Sequence, residues 1–292
     1  MVKFLNSKCI KCLIEKYTSD IPTDDEEIKV KYIKRVLSII ASAEDSSSAP
    51  EVVEKITAAQ GEILGVYPDY SAEKKYYNEL ILGVQDTIEN NVLSSNDPFI
   101  SAMKYSFAGN YIDFGTIYGV EQKQLIELLD NSQTLNVSAF ETENLRSELK
   151  AADTLVYLID NCGEIVLDKI FIKTIKRLNP GINVTVITRG EPVLNDCTAE
   201  DAYAVGMGEV ANIVSNGTAV AGTCLDRISA GAKAAIDGAD LIISKGQGNF
   251  ETLMGCGKNV YYLFLCKCEK FSDKFSVPKL SPMLLNEKRI KR

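Results

Sequence analysis

LVYLIDNCGEIVLDKIF, residues 155–171, is the stretch on which the fold turns. It opens on an unbroken apolar and aromatic run, the composition of a strand buried on both faces. The run stops at Asp160-Asn161, passes Gly163, and resumes with apolar residues at helical spacing, so that DKIFIKTIKRLN (168–179) reads as a helix. Working outward, TLVYLID (154–160) and INVTVIT (182–188) form two strands, with ADLIIS (239–244) and NVYYLFL (259–265) as a third and fourth. Helix-forming stretches lie between several of them. Strand and helix in alternation imply a parallel sheet covered on both faces, whose ligands bind beyond the carboxyl ends of the strands.

The segment ahead of this region is helical. DDEEIKVKYIKRVLSIIASAE (24–44) starts with acids, SSSAPEVVEKITAAQGEILG (46–65) starts with serines and a proline, and SAEKKYYNELILGVQDTIENNVL (71–93) and DPFISAMKYSFAG (97–109) follow. The expected division is a helical N-terminal region over 1–109 and an α/β/α metal- and phosphate-binding domain over 110–292.

The 292 residues contain no histidine. This excludes Ser-His-Asp and Cys-His catalysis and histidine-bound zinc or iron. A metal site without thiolates must then use oxygen ligands, which favours hard cations such as magnesium or manganese. The net charge of −8 argues against nucleic acid as a partner. No stretch reaches the length of a membrane span and no secretory signal is evident, so the expected location is cytoplasmic, with no membrane partner. Eight cysteines in such a chain are not a disulfide scaffold.

The residues following the strands form a coherent set. Asp160 and Asp196 are carboxylates able to reach one cation from neighbouring strands, and Asn161 adds an amide oxygen. In SKGQGNFE (244–251), Lys245 and the backbone of Gly246, Gln247, Gly248 and Asn249 suit a phosphate held at a helix start. Metal, lysine and amide donors together equip a site for phosphoryl transfer. Each element also has a plainer reading. Asp-Asn after a strand is a common turn or helix cap, Asp196 can be a loop residue ahead of the capping pair Thr198 and Asp201, and the glycine-rich loop matches neither the Walker A nor the dinucleotide pattern. Asn110 and Asp113 in AGNYIDFG line the pocket from the helical side or cap a turn between the two regions. The pairs Cys9/Cys12 and Cys266/Cys268 form a shared metal site or disulfide, or are simple buried thiols; two thiols at CxC spacing on a strand would share a face.

DNCGEIVLD (160–168), RGEPVLNDCTAEDA (189–202), SKGQGNFE (244–251) and FAGNYIDFG (107–115) resemble, in order, the motifs of the domain-of-unknown-function 89 family of damage-control phosphatases. CIKC (9–12), SAPEVVEKI (48–56) and CKC (266–268) resemble its cysteine-containing archaeal and bacterial branch. The resemblance spans almost the whole chain. It implies a three-layer α/β/α, Rossmann-like domain with an N-terminal helical bundle. It also implies a metal-dependent phosphatase, active with manganese, magnesium, cobalt or nickel on small phosphorylated metabolites. By the same resemblance the metal ligands fall on Asp160, Asn161 and Asp196, and Lys245 falls where the family contacts phosphate. One of the acids orients water or acts as nucleophile, and both roles stay open for Asp160 and Asp196. Gly163 lets the next helix begin tightly, beside the phosphate site. Cys162 and Cys197 stand where alanine is common, which implies an oxidation-sensitive site. The competing readings are a binding module for a phosphorylated metabolite or nucleotide, without turnover, and a Rossmann-type oxidoreductase or transferase, which lacks an early glycine fingerprint.

Overall fold

The structure, a computed structural model, describes residues 5–113 and 122–290. Phe114 and Gly115 of the 107–115 motif lie outside them. Among the described residues eight α-helices precede the first strand: α1 (Ser7–Thr18), α2 (Glu26–Ala41), α3 (Ala49–Leu64), α4 (Ser71–Leu82), α5 (Gln85–Ser94), α6 (Pro98–Gly109), α7 (Gln122–Asp130) and α8 (Ala139–Ala151). Then β1 (Thr154–Leu158), α9 (Glu164–Leu178), β2 (Asn183–Thr188), α10 (Ala199–Ala204), β3 (Asn212–Ser215), α11 (Ala230–Asp237), β4 (Leu241–Lys245), α12 (Gln247–Leu253), β5 (Val260–Leu265), α13 (Glu269–Phe275) and β6 (Pro282–Asn286) complete the described chain.

Local chemistry sets the helix starts. Asp25 accepts from the amides of Glu27 and Ile28 and caps α2. Ser48 and Glu51 form a reciprocal capping box on α3, with Pro50 in its first turn. Asp97 caps α6 ahead of Pro98. The expected single helix over 71–93 is two helices, α4 and α5, parted at Gly83-Val84. Glycine is the weakest helix former short of proline, and the break falls there. Helix α1, which holds Cys9 and Cys12, was not anticipated. It starts where Asn6 accepts from the amide of Cys9.

The sheet order is β3-β2-β1-β4-β5-β6, parallel except for β6, which runs antiparallel to β5. Side chains alternate across β1. Leu155 and Tyr157 enter a core shared with α6, α8 and α9, and Val156 and Leu158 enter the opposite core with Ile236, Phe250 and Phe271. Two apolar layers on one sheet make the arrangement three-layered, α/β/α. A separate small core, built on Val36, Ile39, Val52 and Ile56, ties α1, α2 and α3 into an N-terminal helical bundle. Helix α9 is buried along nearly its whole length and packs closely on α6. Helices α4, α5 and α6 share the core of one sheet face, while α7 and α8 continue the helical run up to β1. Because the strand order reverses on either side of β1 and β4, a crevice opens at their carboxyl ends.

Candidate active site

A cavity of about 370 Å³ opens at that crevice. Its floor is the turn after β1, its sides come from the loop after β2 and from the starts of α12 and α13, and α1 and α3 close its outer end. The floor is fixed by main chain. The amide of Cys197 donates to Asp160 O at 2.8 Å and that of Cys162 to Asn195 O at 2.9 Å. Asn161 and Asp196 thus face each other as an isolated antiparallel bridge. Asp160, Asn161 and Asp196 all line the cavity while exposing only 6, 1 and 3% of their surface.

Behind the two acids stands Arg189, buried, at the end of β2. Its Nε donates to Asp196 Oδ2 at 2.6 Å and its Nη2 to Asp160 Oδ1 at 3.3 Å. Its Nη1 donates to Gly222 O and to Asn249 Oδ1. The guanidinium fork therefore fixes the spacing of the carboxylates from the side away from the cavity. Sequence reasoning missed this role, because an arginine after a strand looks like a surface cation. The signal that could have found it is the density of buried hydrogen-bonding groups around it in RGEPVLND.

Asn110 joins the floor to the helical side. Its Nδ2 donates to Glu164 and, at 3.3 Å, to Asp160 Oδ2, and its Oδ1 accepts from the amide of Leu265. The Nδ2 of Asn161 donates to Asp160 Oδ2 at 2.8 Å and to Glu164 Oε2 at 3.0 Å. No donor reaches the Asn161 Oδ1 among the described residues, so that oxygen is available as a ligand.

The other expected contacts divide into wall and support. Gln247 and Gly248 line the cavity, and so does Asp113, whose Oδ2 takes a 2.6 Å bond from Lys267 Nζ. Lys245 and Asn249 are buried behind the wall. Lys245 Nζ meets Glu164 Oε1 at 2.7 Å, Asp168 Oδ1 at 2.8 Å and both oxygens of Ser106. Asn249 donates to Lys245 O and Ile159 O. Gly246 is close to the floor and has φ +79°; a Cβ there would sit 1.9 Å from Asp160 Oδ2. Gly163, at φ +82°, is not on the cavity wall. Its amide donates to Asn78, and a Cβ would meet Ile112 and Tyr77.

Burial drives the electrostatics. It raises the Asp160 carboxyl well above the usual range, helped by the charges of Asp196 and Glu164. Burial also lifts Asp196 to about 6, with Arg189 pulling the other way. Two buried acids that one arginine does not fully neutralise, with an amide oxygen beside them, suit a hard divalent cation. Among the described residues no three Cys, Asp or Glu side chains converge into a ready cage. An ion held by only these three oxygen donors would keep open positions for water and substrate, as magnesium-type ions do.

Asp168 lies deeper, on α9. Its Oδ1 accepts from Ser106, Tyr157 and Lys245, while its Oδ2 is buried without a hydrogen bond. Burial raises it to about 6 against the pull of Lys245. A carboxyl raised on folding contributes stability that is fully present below its unfolded value near 3.8 and is lost as pH rises through about 6. Asp168→Asn should remove that part of the pH dependence. The urea midpoint at pH 4 minus that at pH 7 should be smaller in the variant than in the parent; an equal difference in both would exclude Asp168 as the cause.

All eight cysteines are free thiols. Cys266 and Cys268 do not share a strand face, because β5 ends at Leu265 and Cys268 caps α13. Cys9, Cys12 and Cys268 line the cavity, as does Lys267, while Cys266 does not. Cys162 and Cys197 place their Sγ atoms 3.3 Å apart beneath the floor.

Comparison with known proteins bears on this arrangement. A damage-control phosphatase from Archaeoglobus fulgidus is 32% identical over 277 residues, covering 92% of this chain and 94% of its own. A damage-control phosphatase from Pyrococcus horikoshii is 26% identical over 276 residues, covering 93% and 94%. The crystal structure of a DUF89 family protein from Pyrococcus horikoshii matches the fold with a TM-score of 0.80 at 24% identity, over 97% of this chain and 99% of that one. The model of the damage-control phosphatase ARMT1-like domain matches residues 5–281. With the match running from α1 into the loop before β6, the chain belongs to the damage-control phosphatase ARMT1-like family.

Proposed function

We propose that this phosphatase of the damage-control class hydrolyses small phosphomonoesters with the help of a divalent cation held by Asp160, Asn161 and Asp196. The observation that carries the reading is the pair of buried carboxylates held on a cavity floor by a main-chain bridge and backed by Arg189. A cation bound there supplies charge for the phosphoryl oxygens and acidifies water. The protein's own part is positioning. Asp160 or Asp196 orients the attacking water or attacks phosphorus itself. Lys267 and the start of α12, at Gln247 and Gly248, present positive charge and donors from the opposite wall. The phosphate contact expected of Lys245 passes to Lys267 in this reading, since Lys245 is engaged by Glu164 and Asp168 away from the cavity. Lys245 instead fixes Glu164, which in turn orients Asn110 and Asn161.

Among the described residues no helix is long and apolar enough to cross a membrane. Eight free thiols accord with a reducing, cytoplasmic setting. The direct test is release of p-nitrophenol from p-nitrophenyl phosphate. Turnover is expected with manganese or magnesium and should vanish with EDTA. A protein that binds metal and phosphate but shows no turnover with any of the four divalent ions would be a binding module instead.

A further inference from the structure

The cavity has two electrostatic halves. The floor is acidic, whereas the wall and rim collect lysines from three separate segments: Lys8, Lys11 and Lys16 from α1, Lys267 (buried) and Lys270 around the start of α13, and Lys279 from the loop before β6. Positions 8, 11 and 15–16 recur at three-to-four spacing, so one face of α1 is turned to the cavity. This gathering occurs on a chain of net charge −8 and is not a background property of the surface.

Several of these charges are already matched. Lys267 pairs with Asp113, Lys270 with Glu251 at 3.6 Å, and Lys8 with Asp273 and Glu269. The Lys16 ammonium lies 5.7 Å from the centre of the Tyr17 ring. Lys11 and Lys279 are exposed and pair with no carboxylate among the described residues; the lining carboxylates nearest them in sequence are Glu15 for Lys11 and Glu269 for Lys279. The lining also includes an apolar set, Leu13, Pro50, Val53 and Leu194. The volume of about 370 Å³ suits a metabolite rather than a bare phosphate ion.

Given the proposed phosphatase reading, on which this rests, we infer that the substrate is a doubly anionic phosphomonoester. One phosphoryl group meets the floor, a short uncharged body meets the apolar set, and a second phosphate or a carboxylate reaches Lys11 and Lys279. Exposed lysines hold such a group through long-range attraction that salt screens within about 10 Å, so the preference depends on ionic strength.

The test measures binding, so that it does not depend on turnover. Manganese-loaded full-length protein is titrated calorimetrically with alkane-1,ω-bisphosphonates of three to eight carbons, and with alkylphosphonates of matching length. At least one bisphosphonate should bind about tenfold more tightly than its single-headed counterpart at low salt, the scale of favourable charge complementarity. The advantage should collapse towards one in Lys11→Ala/Lys279→Ala, in Lys279→Glu and in 0.5 M sodium chloride. ω-Phosphonoalkanoates in the same series separate a carboxylate from a second phosphate as the preferred group. Equal binding of the two ligand types at every length would overturn the inference, as would an advantage that persists in the double variant. Failure of the phosphatase reading itself would show separately, as absence of metal-dependent p-nitrophenyl phosphate hydrolysis.

Discussion

Asp160→Ala should lower metal-dependent hydrolysis by about 10³-fold or more, the order seen when a principal charge-stabilising group leaves an active site. The same substitution should leave the folded state as stable as the parent, or more so. Asp160 is buried beside Asp196 and Glu164, and its raised proton affinity shows that ionising it there is unfavourable. Removing it relieves that repulsion. Arg189 keeps Asp196, Gly222 O and Asn249 as partners, so it is not left uncompensated. Turnover with manganese and calorimetric melting of the same sample test both halves. Undiminished turnover would remove Asp160 from the site. A large drop in melting temperature would show that the residue is structural.

Lys245→Met should do the reverse in kind. Methionine has nearly the same length and no charge, so the change strips the counter-ion from Glu164 and Asp168, both fully buried, with little loss of volume. Breaking a buried pair by removing one partner costs about 3–5 kcal/mol. Here one ammonium serves two carboxylates, so the upper part of that range is expected in urea unfolding at pH 7. Adding Asp168→Asn and Glu164→Gln to Lys245→Met should recover much of the loss, since the stranded charges go with the lysine. A Lys245→Met protein that unfolds like the parent but has lost affinity for phosphate would restore the direct substrate contact expected from the sequence.

That contrast shows where the sequence could be read and where it could not. Strands β1, β2, β4 and β5 were legible because central parallel strands are buried on both faces and appear as apolar runs. β3 was not, since NIVS at a sheet edge is only half-buried and has no such run. β6 begins with a proline and pairs antiparallel at the other edge, where an amide can be spared. Asp160, Asn161 and Asp196 were legible as a group from their positions after strands, and they do share one cavity. Lys245 shows the limit of that logic. Strand-end position marks the rim, but whether a long side chain turns towards the cavity or back beneath it depends on partners more than 70 residues away, Asp168 and Ser106. Arg189 was hidden for the same reason, because its burial is created by the loop at Gly222 and by Asn249.

The pairing of Asn161 with Asp196 through peptide groups has a further consequence. Two acids in one pocket repel, and in many sites only an arriving ion draws them together. Here folding has already met that cost. On the proposed metal reading the site is set before the ion arrives, so ion capture would give up little conformational entropy and its rate would be set by shedding water from the ion. On the same reading, substitutions at Val193 or Leu194 that loosen the turn holding Asp196 should show first as faster ion escape.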